Sequence, residues 1–535
     1  MLHFVLALLI SVCACILLQR QSLGRHSQDF VFADLVACLC GAFVFGFFEI
    51  LTRRPYFALY LTLCLFLLLC VLNCAKRRAL RDESLVFSDI ALAGQLARFP
   101  ALYLPFLPCK ALLAAALVFL PVSMAIFWLG PVYEAKGLSL LLLSPFPLLF
   151  VASRTFFKET LRLALRRCHL SFSADDARRF GPLGACLLHI GWHLLLRGVD
   201  GGICGPREKP FARPLCAPAM SSLTGQRPEC LPDLFLIQEE SFCDPRLFLP
   251  ALPSDLLANY DRLRAEGVSF NLAVHAYGAY TMRTEYEVLT SIEPKDLGSC
   301  VFHPYFTVAR EPSWSCVRFL KKLGYRTICV HPFARDFFYR RRAIPNLGFD
   351  EFIALDTFPH PTCFGPYVTD AAVADCLLDL QRTMPEPLFC FAITMENHGP
   401  WGEGRFDPKL QPKTLPDLDG DIERYLVHIR HADAMFGTLA QGLQESGRSA
   451  LLGVYGDHLP GLPALVPQGA SDTPCFLWAT AKIALDGDAK RLSPAQWMAE
   501  YLRAAGLVAE AKAKNERKAQ DSVKAGASKT ASSER

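Results

Sequence analysis

The sequence has no basic stripe with interleaved aromatics, and its net charge of +4 is spread along 535 residues. Nothing here resembles a nucleic-acid-binding surface, and no nucleic-acid partner is expected. Zinc-knuckle spacing is absent too, although the chain has 21 cysteines. Ten precede residue 200 and eleven follow it. Cysteines in apolar segments behave as small apolar residues, and an odd number in the second half leaves at least one unpaired. Charge is sparse: 20% of residues are charged against 52% hydrophobic, and the mean hydropathy is +0.25. That is too apolar for an ordinary soluble enzyme.

The apolar excess sits in the first 150 residues. Five candidate spans stand out there: Met1–Leu18, Phe30–Leu51, Tyr56–Cys74, Lys110–Leu129 and Leu138–Ser153. The first four approach the length needed to cross a hydrocarbon core of roughly 30 Å. The fifth is short, and Pro145 and Pro147 bend it; Pro121 interrupts the fourth, as a packed bundle tolerates. The first has no basic region before its apolar run and no cleavage site around Cys13 and Cys15, so it reads as an uncleaved span.

Orientation is in tension with charge. Lys76, Arg77, Arg78 and Arg81 follow the third span; Arg154, Lys158, Arg162, Arg166 and Arg167 follow the fifth. Five spans with the N-terminus inside put both groups outside, against the positive-inside tendency. A sixth span at Gly181–Leu196 would repair this. That stretch holds His189 and His193, follows Asp175-Asp176, and reads instead as an amphipathic helix at the surface. Five spans are favoured, and both arrangements leave the C-terminal half outside.

Residues 198–230 are rich in Gly, Pro and Cys and read as a linker. From Leu231 apolar runs alternate with helical patterns. The runs are Leu234–Gln238, Val268–Val274, Thr327–His331, Leu388–Thr394, Ala450–Tyr455 and Phe476–Ala479. The helical stretches include Glu285–Ser291, Ser313–Leu323, Val368–Arg382 and Ile422–Glu445. This alternation predicts an α/β fold with a mostly parallel sheet and helices on both faces. The expected organisation is a membrane domain at 1–153, a juxtamembrane helix and linker at 154–230, a catalytic domain at 231–507 and a disordered tail at 508–535.

In such sheets ligands bind beyond the carboxyl ends of the strands. Glu240 follows one strand, with Glu239 competing for its role. Asp457-His458 follows another after Gly456, offering oxygen and nitrogen metal ligands. Thr281 opens a helix; it is either an N-cap or a nucleophile activated by a metal at a helix N-terminus that favours phosphoryl groups. His398, in Asn397-His398-Gly399-Pro400, and His331 are candidates to contact phosphate oxygens or to move a proton. Arg340 either clamps an anion or sits in a solvated charge run. Together these groups equip the chain for metal-assisted transfer at phosphorus or sulfur.

The segments Pro232–Phe242, Ala279–Leu289, His331–Phe352, Thr394–Trp401 and Tyr455–His458 resemble the lipoteichoic acid synthase and phosphoglycerol transferase family of the alkaline phosphatase/sulfatase superfamily. The likeness covers roughly Leu231–Gly506, and the apolar front is similar as well. It implies a metal site at Glu240, Thr281, Asp457 and His458, usually for Mn2+, with Zn2+ or Mg2+ as alternatives. It implies Thr281 as nucleophile, taking glycerol phosphate from phosphatidylglycerol. His398 falls beside the transferred phosphate. His331, Arg340 and Phe338 fall against the headgroup, Phe338 where some members have Trp. The word Thr-Met-Arg-Thr-Glu departs from the Gly-Lys-Thr-Ser-Asp of the polymer-forming enzymes, so the implied acceptor is another periplasmic or surface glycan, or glycerol phosphate. The implied location is a bacterial inner membrane, with the catalytic domain on the periplasmic or extracellular side. Phosphoethanolamine transfer and phosphodiester hydrolysis are the alternatives. Sulfatase maturation starts from Cys-x-Pro-x-Arg or Ser-x-Pro-x-Arg, and both nearest words here, Cys216-Ala-Pro-Ala-Met220 and Cys243-Asp-Pro-Arg-Leu247, lack the Arg.

Overall fold

A computed structural model describes residues 2–23, 30–133, 158–195 and 223–510, apart from short gaps within the last three stretches. Long apolar runs form helices α1 (Leu2–Leu23), α2 (Phe30–Thr52) and α3 (Pro55–Ala79), and a further helix runs from Cys109 to Leu129 with Pro121 inside it. Among the described residues three helices are long and apolar enough to cross a membrane: Asp34–Thr52, Pro55–Arg78 and Leu112–Leu129. The apolar part of α1, Leu2–Leu18, is shorter. The expected fifth span, 138–153, lies outside the described residues.

Helices α1, α2 and α3 pack on one another, burying Phe4, Phe45 and Ala58 at one level and Cys15, Val36, Cys40 and Phe66 at another. The helix Ala174–Leu195, which holds most of the stretch read as amphipathic, packs against α1 and α2. Its polar residues do not prevent this, because His189 Nε2 meets Asp176 Oδ2 at 2.8 Å and both side chains are buried.

The chain forms two compact units. The first comprises residues 1–208, 277–283 and 294–307; the second comprises 209–276, 284–293 and 308–535. The second is built on an eight-stranded sheet, in the order β11 (Arg491–Leu492), β3 (Val268–Ala273), β10 (Asp472–Ala479), β9 (Ala450–Gly456), β2 (Asp233–Glu239), β8 (Leu388–Ile393), β4 (Arg326–His331) and β5 (Glu351–Ala354). Strands β9, β2, β8, β4 and β5 are mutually parallel, whereas β10 runs antiparallel to both β9 and β3. Every residue of β2, β8 and β9 is buried, as expected of central strands covered on both faces. The expected fold class therefore stands, with an antiparallel strand inserted toward one edge.

Strands β6 (Cys363–Phe364) and β7 (Tyr367–Val368) form a separate antiparallel pair, and two further short strands lie in the segments read as linker and tail. Leu223–Gly225 (β1) pairs antiparallel with Val508–Glu510 (β12). Order thus reaches into both the segment read as linker and the first three residues of the segment read as tail. Residues 511–535 lie outside the described part of the chain.

Candidate active site at the strand ends

Register brings the chemistry together. Strands β2 and β9 pair in parallel with Glu239 opposite Gly456, so Glu240 and Asp457 leave the sheet side by side. Gly456 is required there, since a Cβ on it would stand 2.2 Å from the Phe242 carbonyl oxygen. Strand β8 lies on the other side of β2, with Ile393 opposite Gln238. Thr394, the next residue, accepts from the Glu240 amide at 3.0 Å through Oγ1. Beyond β8 lies β4, which ends at His331.

Glu240, Asp457 and His458 are almost wholly buried, and each offers a ligand atom within 4.8 Å of the others. The backbone amides of Ser241 and His458 both donate to Asp457 Oδ1 at 2.8 Å. Ser241 reaches it from a left-handed conformation with φ 52°, a local cost accepted where geometry is over-determined. His458 Nδ1 faces the Leu459 carbonyl at 3.1 Å. A carbonyl only accepts, so Nδ1 carries the proton and Nε2 is turned inward. There Nε2 lies 3.3 Å from Asp457 Oδ2 and 3.5 Å from Glu240 Oε1. Burial opposes charge on His458, but Asp457 and Glu240 outweigh it and raise its pKa. Two carboxylates and a correctly tautomerised imidazole, all buried, fit a divalent cation. Glu239, the last residue of β2, lies buried beside this set; burial pushes its carboxyl well above the usual range, with Glu396, Glu240 and Asp457 adding to the rise.

Thr281 is buried and is the first residue of the helix Thr281–Thr290. One turn on, Thr284 Oγ1 donates to the Asp457 carbonyl at 2.7 Å. His398 lies in the turn after β8, where Asn397 Nδ2 donates to the Glu240 carbonyl at 3.0 Å. His398 Nδ1 donates to the Gly399 carbonyl at 2.7 Å, which leaves Nε2 as the nitrogen for proton exchange. Burial, the largest influence, lowers its pKa.

Arg340 is where the sequence reading changes most. It sits in a run of three arginines yet is 1% exposed. Its guanidinium pairs with both oxygens of Glu285, at 3.2 and 2.6 Å, and donates to His331 Nε2 at 3.3 Å. His331 Nδ1 in turn donates to the Ile393 carbonyl at 3.1 Å. Burial and then Arg340 lower the His331 pKa well below its usual value. The solvated charge run does not describe Arg340, whose side chain is buried. It is the middle of a buried Glu285–Arg340–His331 chain, with the Phe338 ring 5.5 Å from its guanidinium. The signal for Glu285 was present, as the last residue of the Thr-Met-Arg-Thr-Glu word.

A second group with ligand-type side chains, Glu396, His428 and His431, was not singled out from sequence. Arg405 Nε donates to His428 Nε2 at 3.2 Å. Arginine has no acceptor, so Nε2 holds the lone pair and Nδ1 the proton. Nδ1 then donates to Glu396 Oε1 at 3.2 Å, and His431 Nδ1 meets the same oxygen at 2.5 Å. Burial favours a neutral Glu396, but the hydrogen bonds from His428 and His431 prevail and hold its pKa near about 2. Arg405 Nη2 also donates to the Glu396 carbonyl at 2.7 Å, beside the Asn397-His398 turn.

A sequence profile of the sulfatase family matches residues 232–507. The capsular polysaccharide biosynthesis protein RkpI of Rhizobium meliloti is 31% identical over 441 residues, covering 78% of this chain and 76% of that protein. Among solved structures, the phosphoglycerol transferase GacH of Streptococcus pyogenes, in complex with sn-glycerol-1-phosphate, is 22% identical with a TM-score of 0.46, over 52% of this chain and 76% of that one. The lipoteichoic acid synthase LtaP of Listeria monocytogenes is 20% identical with a TM-score of 0.43, over 53% and 76%.

Proposed function

The chain belongs to the sulfatase family, and from that premise we propose that it is a membrane-anchored transferase moving glycerol phosphate from phosphatidylglycerol to a periplasmic or surface glycan. The observation that carries the reading is the buried Glu240–Asp457–His458 donor set at adjoining strand ends. The helix opened by Thr281 is hydrogen-bonded to the same strand end through Thr284. A glycan acceptor is supported by the description of the Rhizobium meliloti relative as a capsular polysaccharide biosynthesis protein.

In this reading Glu240, Asp457, His458 and the Thr281 hydroxyl would hold one divalent ion, Mn2+ by resemblance, which when bound would supply positive charge to favour the Thr281 alkoxide and the phosphoryl oxygens. Thr281 Oγ forms a bond to phosphorus as the phosphorus–oxygen bond to diacylglycerol breaks. The proton from Thr281 is matched by one taken up by the departing diacylglycerol. A glycan hydroxyl then attacks phosphorus, its proton passes to His398 Nε2, and Thr281 is released and reprotonated. The depressed pKa of His398 keeps Nε2 available as an acceptor near neutral pH. The Glu285–Arg340 pair holds His331 in one tautomer beside this site.

Mass spectrometry of the intact protein after incubation with phosphatidylglycerol or phosphatidylethanolamine tests the donor. A glycerol-phosphate mass on Thr281 is expected. A phosphoethanolamine mass would replace the donor, and no adduct from either lipid, with free headgroup accumulating, would favour hydrolysis.

The reading also requires residues 198–535 on the exported side. Alkaline phosphatase fused after Gly506 should be active and green fluorescent protein at the same point dark. The reverse pattern would put the site in the cytoplasm and end the glycan reading.

A further inference from the structure

The turn bearing Thr281 is held from an unexpected direction. Residues 277–283 and 294–307 belong to the same compact unit as α1–α3 and the residues that follow α3. Arg283, two residues past Thr281, presents Nη1 and Nη2 to the two oxygens of Glu83 at 2.5 and 3.2 Å, and Nε to the Phe302 carbonyl at 3.2 Å. Its guanidinium also covers the Tyr280 ring at 3.9 Å. Tyr280, immediately before Thr281, has φ 66°, a conformation unfavourable to a bulky side chain and kept only where the surroundings enforce it. Its hydroxyl lies 3.5 Å from Asp89 Oδ1, and the His303 ring stands edge-on at 5.7 Å. Asp89 is itself fixed by Lys76 Nζ at 2.8 Å and His303 Nε2 at 3.2 Å. At the start of the turn, Arg81 lies 3.6 Å over the Tyr277 ring.

We propose that Glu83 and Asp89, in the segment after the third apolar helix, are positioning residues that clamp the nucleophile turn through Arg283 and Tyr280. The clamp rests on the reading of Thr281 as nucleophile. It gives the membrane-embedded part of the chain a role beyond tethering. It also gives two of the basic residues that defied the positive-inside tendency, Lys76 and Arg81, defined partners within the protein. A paired bidentate guanidinium on one flank and a partly buried carboxylate on the other restrict Thr281 from both sides, and misplacement of a reacting atom by about 1 Å costs up to roughly 100-fold in rate.

The test uses Glu83→Gln and Asp89→Asn in the full-length protein in detergent. Diacylglycerol release is followed from bilayer phosphatidylglycerol and from its water-soluble dihexanoyl form. Each variant is expected to lose kcat by roughly 10- to 100-fold on both substrates, with KM within about twofold and metal content unchanged. The charge-reversed pair Glu83→Arg with Arg283→Glu should recover part of what Glu83→Arg alone loses. Wild-type kcat in both neutral variants would overturn the clamp. So would a rate loss matched by lost metal, which indicates general damage, or a loss confined to the bilayer substrate, which indicates membrane docking. A wild-type protein that releases no diacylglycerol from either form would overturn the transferase reading itself.

Discussion

Replacing Thr281 by Ala should abolish headgroup release from phosphatidylglycerol, by at least about 1,000-fold, while the protein stays folded. The side chain is buried at the first position of its helix, where Ala is tolerated. If Thr281 were only a cap, its loss would cost about 1 kcal/mol of stability and leave turnover nearly intact. Thr281→Ser separates the two roles further. It keeps a hydroxyl, so it should keep measurable transfer and still take up the glycerol-phosphate mass. Labelled phosphatidylglycerol provides the assay, and circular dichroism checks the fold. Turnover near the wild-type rate in a folded Thr281→Ala protein would remove the covalent mechanism.

The strand ends were the legible part of this site. Glu240 and Asp457-His458 each follow an apolar run that fits a central strand, and a ligand after such a run must emerge at the carboxyl edge of the sheet. Choosing Glu240 over Glu239 was not possible from pattern alone, since neighbours on a strand differ only in which face they take. In the structure it is Glu240 that offers a ligand atom within 4.8 Å of those of Asp457 and His458. The Glu285–Arg340–His331 chain was not legible, because its members are separated by tens of residues and Arg340 sits among arginines that face solvent. Likewise His428 and His431, three apart on the long helix Gly420–Glu445, look like an ordinary polar face until Glu396 and Arg405 are brought against them. Among the strands, the Glu351–Ala354 run was too short to stand out, and β10 gives no sequence sign of its antiparallel direction. The pairing of β1 with β12 joins segments more than 280 residues apart, which local composition cannot reveal. The long apolar helices were the easiest to read, since hydrocarbon thickness sets their length.

Asp457→Asn should strip the divalent ion from the isolated protein. The substitution is nearly isosteric and keeps an oxygen that can accept from the Ser241 and His458 amides, each at 2.8 Å in the parent. What it removes is one of the two carboxylate charges facing His458 Nε2. Losing an outer partner of a metal ligand already costs roughly 10- to 100-fold in affinity, so losing a charged ligand should cost more. Elemental analysis after dialysis should find about one ion per parent chain and much less in the variant. Proton competition supplies a second signature. In the metal-free parent, Asp457 and Glu240 raise the His458 pKa, so protonated His458 stabilises the fold below its unfolded pKa, and that contribution is lost as pH rises through the folded value. Melting the chelated parent across mildly acid to mildly alkaline pH should therefore show stability from this group falling as pH rises, and Asp457→Asn, with one attracting charge gone, should flatten that fall. Metal retention in the undialysed parent should run the other way, increasing with pH as Nε2 sheds its proton. Equal metal in parent and variant, together with identical pH profiles of melting, would place the ion away from these strand ends.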